Sequence, residues 1–117
     1  MKLLIENHGG LSGNPDNIVK IIEEVESEYL GTCPDFGNFP PEIRYQALEK
    51  IAKYAAIAHA KTYDFDEQGE ETTIDLKRCV DILKKHGFKG HYSVEYEGEG
   101  DQREGVKKSL ELLRKYL

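Results

Sequence analysis

Basic residues are in the minority: 16 Lys and Arg stand against 22 Asp and Glu, for a formal net charge of −6. Such a chain has no basic stripe to replace counterions around phosphate, so a nucleic-acid partner is not expected. Long hydrophobic runs are missing too. None approaches the roughly 20 apolar residues that span a bilayer, so no membrane partner is expected. The segment Met1-Lys2-Leu3-Leu4-Ile5-Glu6 has neither a long apolar core nor a cleavage signal, and is not expected to act as a secretory leader. Cysteine is scarce. Cys33 falls on a predicted strand and Cys79 on a predicted helix, where buried, reduced thiols are expected rather than a disulfide. A cytoplasmic setting goes with that expectation. There is no linker and no low-complexity segment, and 117 residues suit one domain, residues 1–117.

What is present is one unit repeated. Four times a short apolar or alternating run feeds a helical stretch, and strands that repeatedly feed helices build a parallel sheet. Leu3 to Glu6 is the first strand. A glycine-rich loop follows, then a helix opened by Asn14-Pro15-Asp16, with Ile18, Ile21, Ile22 and Val25 in helical rhythm. Tyr29 to Pro34 is the second strand. Its helix begins near Pro40-Pro41 and carries Ile43, Ala47, Leu48 and Ile51 on one face. Ala56 to Thr62 is the third strand, followed by an acidic loop, Asp64 to Thr73, with room for a small β excursion. The third helix starts near Asp75, buries Leu76, Cys79, Val80 and Leu83, and ends at His86-Gly87. Gly90 to Glu95 is the fourth strand. The last helix presents Val106, Leu110, Leu113 and Leu117.

Side chains alternate between the two faces of a strand. Ser93 and Glu95 therefore share a face, with Val94 and the flanking tyrosines opposite. Likewise Ile57, His59 and Lys61 share a face, while Ala58 and Ala60 let a helix pack closely behind. The His59 face then points into a barrel interior. Glu6, Asp35, His59 and Glu95 each close one apolar or alternating run. In a barrel of βα units those C-terminal strand ends converge on one face, where the chemistry sits. Three carboxylates and an imidazole there suit a single divalent cation: Mn²⁺ first, Zn²⁺ second, with Co²⁺ or Mg²⁺ also compatible. The plain alternative is four unrelated polar residues at strand ends, where loops begin.

Four ordered motifs run through nearly the whole chain: Ile5-Glu6-Asn7-His8-Gly9-Gly10, Gly31-Thr32-Cys33-Pro34-Asp35-Phe36-Gly37-Asn38-Phe39, Ala58-His59-Ala60-Lys61 and Ser93-Val94-Glu95-Tyr96-Glu97-Gly98. Together they resemble the sugar phosphate isomerase/epimerase superfamily, the xylose-isomerase-like TIM barrels. That group includes ketose 3-epimerases, inosose dehydratases and AP-endonuclease relatives. The resemblance implies that Glu6, Asp35, His59 and Glu95 bind one divalent cation. It also implies that Glu6 and Glu95 act as acid/base groups on opposite faces of a substrate. There are departures. Asn38, read as a substrate-binding residue, stands where the epimerase and endonuclease branches usually place a histidine. Phe65 stands near where the epimerases place a substrate-binding arginine. The endonuclease branch draws further zinc ligands from a half that this chain lacks.

A family barrel has eight βα units, and this chain resembles only the C-terminal four. The expected fold is therefore α/β, half of a (βα)8 barrel with two open edges and an exposed apolar interior. Closure by a second copy of the chain, as a homodimer, is the simplest expectation. A partner half-barrel or an engineered fragment would do the same, and Met1 leading directly into a strand fits a cut at a barrel's midpoint. The expected chemistry is metal-assisted proton transfer next to the carbonyl of a ketose or cyclic polyol ketone. The competing expectation is a non-catalytic or engineered scaffold that dimerises and keeps a vestigial site.

Other polar residues divide between roles. His8, two beyond Glu6, suits a substrate contact or support for a ligand carboxylate, with a loop histidine as the alternative. Lys61, two beyond His59, suits a catalytic or substrate-binding ammonium, or else one that neutralises the carboxylates. His91 is expected in the core and His86 at a helix C-terminus, where a cation is favourable. Glu97 ranks below Glu95 as a ligand. The Gly9-Gly10 loop lacks the P-loop lysine and the dinucleotide fingerprint. Asp64, Asp66, Glu67, Glu70 and Glu71 read as a solvated loop rather than a second metal site.

Overall fold

A computed structural model describes residues 1–117. Its elements are β1 (Leu3–Glu6), a 3-10 turn (Gly10–Gly13), α1 (Pro15–Val25), β2 (Leu30–Cys33), α2 (Arg44–Ala52), β3 (Ile57–Thr62), α3 (Leu76–Lys85), β4 (His91–Tyr96) and α4 (Gln102–Tyr116). Helix starts follow local chemistry. The side-chain oxygens of Asn14, Asp75 and Asp101 accept backbone N–H groups of Asp16, Arg78 and Glu104 at the N-termini of α1, α3 and α4. Gly87, at φ 78°, turns the chain out of α3.

All strand pairs are parallel. β1 runs beside β2, Leu3 with Leu30 through Glu6 with Cys33. β3 runs beside β4, Ile57 with His91 through Thr62 with Tyr96. The two ribbons meet only at bridges between Thr32 and Ala55 and between Asp35 and His59. Pro34 has no N–H to give, so the ladder breaks there. Its carbonyl accepts the His59 amide at 2.9 Å, and the Phe36 amide donates to the His59 carbonyl at 3.0 Å. The result is a TIM-barrel-like arc of four βα units whose sheets do not close. The outer edges of β1 and β4 have no strand partner.

The core fills the space between the arc and its helices. Ile18, Ile51, Val80 and Leu83 are buried there, with Phe36 and Phe39 from the β2–α2 loop. Those two rings anchor the loop that carries Asp35.

Several sequence expectations need correction. Ile43 and Val25 are exposed, because α2 starts only at Arg44 and α1 has no neighbour on its outer side. In α4 the buried stripe is Gly105, Ser109, Leu112 and Leu113, not Val106, Leu110, Leu113 and Leu117. The reason is local: the Tyr96 ring lies on Gly105, and the Ser109 hydroxyl bonds to that of Thr62 at 2.6 Å. Both contacts turn the small residues inward. His91 is exposed rather than packed in a core, since it faces the open side of the arc beside exposed Ser93. The open interior is thus more polar than expected, and exposed apolar surface gathers at the edges. Glu70 and Glu71 are not merely solvated. Glu71 accepts the backbone N–H groups of Tyr63, Asp64, Thr73 and Ile74, and Glu70 binds Lys115 and Tyr116. The small β excursion is present as a bridge between Phe65 and Glu71.

Gly105 gives a direct test of the α4 packing. A Cβ there would stand 2.3 Å from Tyr96 ring carbons. Alanine gains about 1 kcal/mol in helix propensity over glycine, but overpacking of this kind costs typically about 1–3 kcal/mol. A 2.3 Å approach to ring carbons belongs at the upper end of that cost, about 2–3 kcal/mol, so Gly105→Ala should lower stability by a net of about 1–2 kcal/mol. Urea denaturation measures it, and an unchanged midpoint would contradict the packing.

Candidate metal centre

Each strand delivers one side chain to the same end of the arc. Glu6 closes β1, Asp35 follows β2, His59 lies in β3 and Glu95 in β4. One donor atom from each lies within 4.8 Å of the others, close to the roughly 4 Å span across a single divalent ion's ligand shell. His59 Nδ1 stands 3.1 Å from Glu6 Oε1 and 3.9 Å from both Asp35 Oδ2 and Glu95 Oε2.

Asp35 is the fully buried member. Its Oδ1 accepts the amides of Gly37 and Asn38 at 2.8 and 2.9 Å. Glu95 Oε2 has the Lys61 ammonium 2.8 Å away, whereas Asp35 Oδ2 is buried without a hydrogen-bond partner. A buried carboxylate oxygen left this way is costly unless a cation faces it. Burial pushes the Asp35 carboxyl up to about 6, against the pull of the Gly37 amide and the Lys61 ammonium.

Lys61 is buried beneath this group. Its Nζ lies 2.6 Å from Glu97 Oε1, 2.8 Å from Glu95 Oε2 and 3.6 Å from Asp35 Oδ2. Burial opposes its charge, but the hydrogen bonds it donates to Glu95 and Glu97 outweigh that and hold its pKa above the ordinary lysine value. In turn Lys61, by its hydrogen bond, holds Glu95 below the usual carboxylate range. Gly37 makes room for this stem: a Cβ there would stand 2.5 Å from Lys61 Cγ. Three carboxylates, Asp35, Glu95 and Glu97, thus surround one ammonium, Glu6 stands beside His59, and the remaining negative charge fits a divalent cation.

Among the other residues singled out from sequence, Asn38 is half-buried, with its Nδ2 3.5 Å from Glu6 Oε1. His8 is exposed, and its backbone N–H bonds to Ser12 Oγ. His86 pairs with Glu49 at the end of α3. Cys33 and Cys79 are both buried and free. Burial, then the charges of Glu6, Asp35 and Glu95, pushes the Cys33 thiol up to about 11, so it is inert.

One part of the site went unread. Asn7 is fully buried and clamps the Asp35 backbone both ways: its Oδ1 accepts the Asp35 amide at 2.7 Å and its Nδ2 donates to the Asp35 carbonyl at 3.0 Å. The available signal was its place directly after Glu6, on the opposite strand face. Glu97, weighed from sequence only as a ligand ranking below Glu95, is a partner of Lys61. A cavity of about 570 Å³ adjoins it between the loops after β3 and β4, lined by Tyr63, Phe65, Tyr96 and Lys108 among others.

An arc of parallel βα units with a carboxylate–imidazole cluster at its C-terminal end defines a class, and sequence comparison agrees with it. The chain belongs to the xylose isomerase-like TIM barrel family, whose model matches residues 1–116. It is 36% identical over 88 residues to a C-glycoside deglycosidase alpha subunit from Arthrobacter globiformis, which covers 69% of this chain and 24% of that one. A protein of the same description from Microbacterium trichothecenolyticum is 36% identical over 62 residues, 53% of this chain and 17% of that one. A xylose isomerase-like TIM barrel protein from Mycobacterium smegmatis, crystallised in complex with magnesium, has the same fold. It superposes with a TM-score of 0.75 at 20% identity, over 97% of this chain and 43% of that one. The chain thus spans less than half the length of each of these relatives. No helix is long and apolar enough to cross a membrane.

Proposed function

We propose that this chain carries the metal centre of an enzyme that moves a proton next to the carbonyl of a ketose or cyclic polyol ketone. The observation that carries the reading is the convergence of Glu6, Asp35, His59 and Glu95, with the buried Asp35 Oδ2 left without a hydrogen bond. These four residues hold one divalent cation; three oxygen ligands favour Mn²⁺, and Mg²⁺, Zn²⁺ or Co²⁺ are the alternatives. When bound, the ion supplies Lewis acidity that polarises a substrate carbonyl and acidifies the adjacent C–H.

The chain's own groups do the rest. Glu6 and Glu95 come from the two ends of the arc, so they flank whatever lies at its centre. One takes the proton and the other returns it. Glu95 is held ionised by Lys61, which suits it to accept. Asp35 and His59 serve mainly as ligands. Lys61 positions Glu95, and reaches a substrate oxygen only by exchanging Glu97 for it. Asn38 and His8 lie at the rim as substrate contacts. A second copy of the chain completes the eight-stranded barrel as a homodimer.

The name of the curated relatives favours a sugar-bearing substrate. The adjoining cavity, which sets Tyr63, Phe65 and Tyr96 among acidic side chains, has room for the non-sugar part of a glycoside. It also supports a second reading: a deglycosidase subunit working with another polypeptide, in which the half-barrel alone holds metal without turnover.

The test is hydrogen exchange. Mn²⁺-loaded protein incubated with a panel of ketoses and inososes in D2O should exchange the C–H next to the carbonyl, followed by NMR. Glu95→Gln should slow this by roughly 10²–10⁴-fold, the usual worth of a general base. Full activity in that variant would remove Glu95 from the mechanism. Metal binding without exchange on any substrate would favour the scaffold reading.

A further inference from the structure

The two open edges of the arc differ in charge as well as position. α4 packs on β4 through Gly105, Ser109, Leu112 and Leu113, and Lys84 of α3 reaches the carbonyls of Tyr116 and Leu117 on one flank. Its other flank lies over the unpaired edge of β4. There the helical spacing aligns Arg103, Val106, Lys107, Leu110, Arg114 and Leu117 in one exposed stripe. That stripe is three apolar and three basic residues, with no acid.

The opposite edge mirrors it. α1 uses Asp16 and Glu23 to meet Lys50, Lys53 and Tyr54 on the α2 side. Its other flank, beside unpaired β1, presents half-buried Ile21 with exposed Val25, Leu3 and Tyr29, flanked by exposed Glu24, which Lys20 approaches to 3.9 Å, by exposed Glu28, and by exposed Lys2 next to Leu3. Leu3, Val25 and Tyr29 are 73%, 55% and 60% exposed. One edge is apolar with a basic margin, the other apolar with an acidic margin.

We propose that two copies of the chain close head to tail, the α4–β4 edge of each docking on the α1–β1 edge of the other, with Arg103, Lys107 and Arg114 facing Glu24 and Glu28. This rests on the barrel-closure reading above and adds which surfaces meet. Every strand pair in the chain is parallel. Docking β4 on β1 continues that pattern, whereas pairing like edges about a two-fold axis would set strands antiparallel and place like charges together. Apolar burial supplies the attraction, and the charged margins select the partner edge.

Charge reversal tests this without touching the metal ligands. One variant carries Glu24→Lys and Glu28→Lys, the other Arg103→Glu and Lys107→Glu. Glu24→Lys puts a cation in the last turn of α1 and Arg103→Glu an acid in the first turn of α4, where the helix dipole favours them, and Glu28 and Lys107 are exposed, so the fold should persist. Wild-type chain should sediment as a dimer, and each variant alone should dissociate roughly tenfold or more readily, since like margins now face each other. Mixed in equal amounts, the two variants should dimerise again, because both interfaces then pair opposite charges. A wild-type monomer at all concentrations overturns the proposal. So does a variant that dimerises as wild type does, or a mixture with no recovery. Calorimetry with Mn²⁺ on each variant separates this from the metal reading: metal uptake persists whether or not the edges dock.

Discussion

Asp35→Asn is expected to lower affinity for Mn²⁺ by more than about 100-fold, since even outer partners of metal ligands are worth about 10–100-fold. Asparagine keeps the Oδ1 that accepts the Gly37 and Asn38 amides, so the loop geometry should survive. What it removes is the charge at the position of Oδ2, the buried oxygen that faces His59 and Lys61 without a hydrogen bond. Titration calorimetry on chelator-treated protein reads the result. The wild type should bind one ion per chain and gain thermal stability with it. If Asp35→Asn binds as tightly as the wild type, Asp35 is not a ligand and the four-residue centre is wrong.

Lys61→Met should have the largest effect on stability. Its ammonium, almost fully buried, stands among Asp35, Glu95 and Glu97. Removing one partner of a buried ion pair leaves an uncompensated charge and costs about 3–5 kcal/mol. Glu95 and Glu97 are partly exposed and water relieves them, so the lower end, about 3 kcal/mol, is expected in metal-free protein. The deficit should depend on pH in a fixed direction. Asp35 has its pKa raised in the folded state, so its protonation favours folding at low pH, and that contribution is lost as pH rises through about 6. The variant's deficit should therefore be largest above pH 6 and shrink towards pH 4. A bound divalent cation restores positive charge to the cluster. The variant should gain more stability from Mn²⁺ than the wild type does, in urea melts with and without metal. Equal gains would mean that Lys61 and the metal do not share the same carboxylates.

The order of elements was legible because it is local. Asn14-Pro15-Asp16 caps and opens α1, Gly87 ends α3, and Ala58 and Ala60 mark the helix-facing side of β3. The α4 stripe was misread for an instructive reason. By periodicity alone, Val106, Leu110 and Leu117 make the better apolar face. Burial went instead to Gly105 and Ser109, because Tyr96 and Thr62 on neighbouring strands needed small partners. His91 failed similarly: a full barrel would cover it, and this arc does not. Asn7 was invisible as a clamp because its partner is the backbone of a residue 28 positions away.

The reading of Glu6, Asp35, His59 and Glu95 as ligands drew on the family resemblance; by itself, the sequence determined the four βα units and the strand ends at which those four residues fall. Those features depend on alternation, helical period and capping, all set within a few residues. Only the tertiary structure decided that the four donors meet within 4.8 Å, that Lys61 is shared by three carboxylates, and that the two edges carry opposite charge beside exposed apolar side chains. Those are distances between residues far apart in the chain. They are fixed by how the helices pack on the arc and by which side chains that packing leaves uncovered.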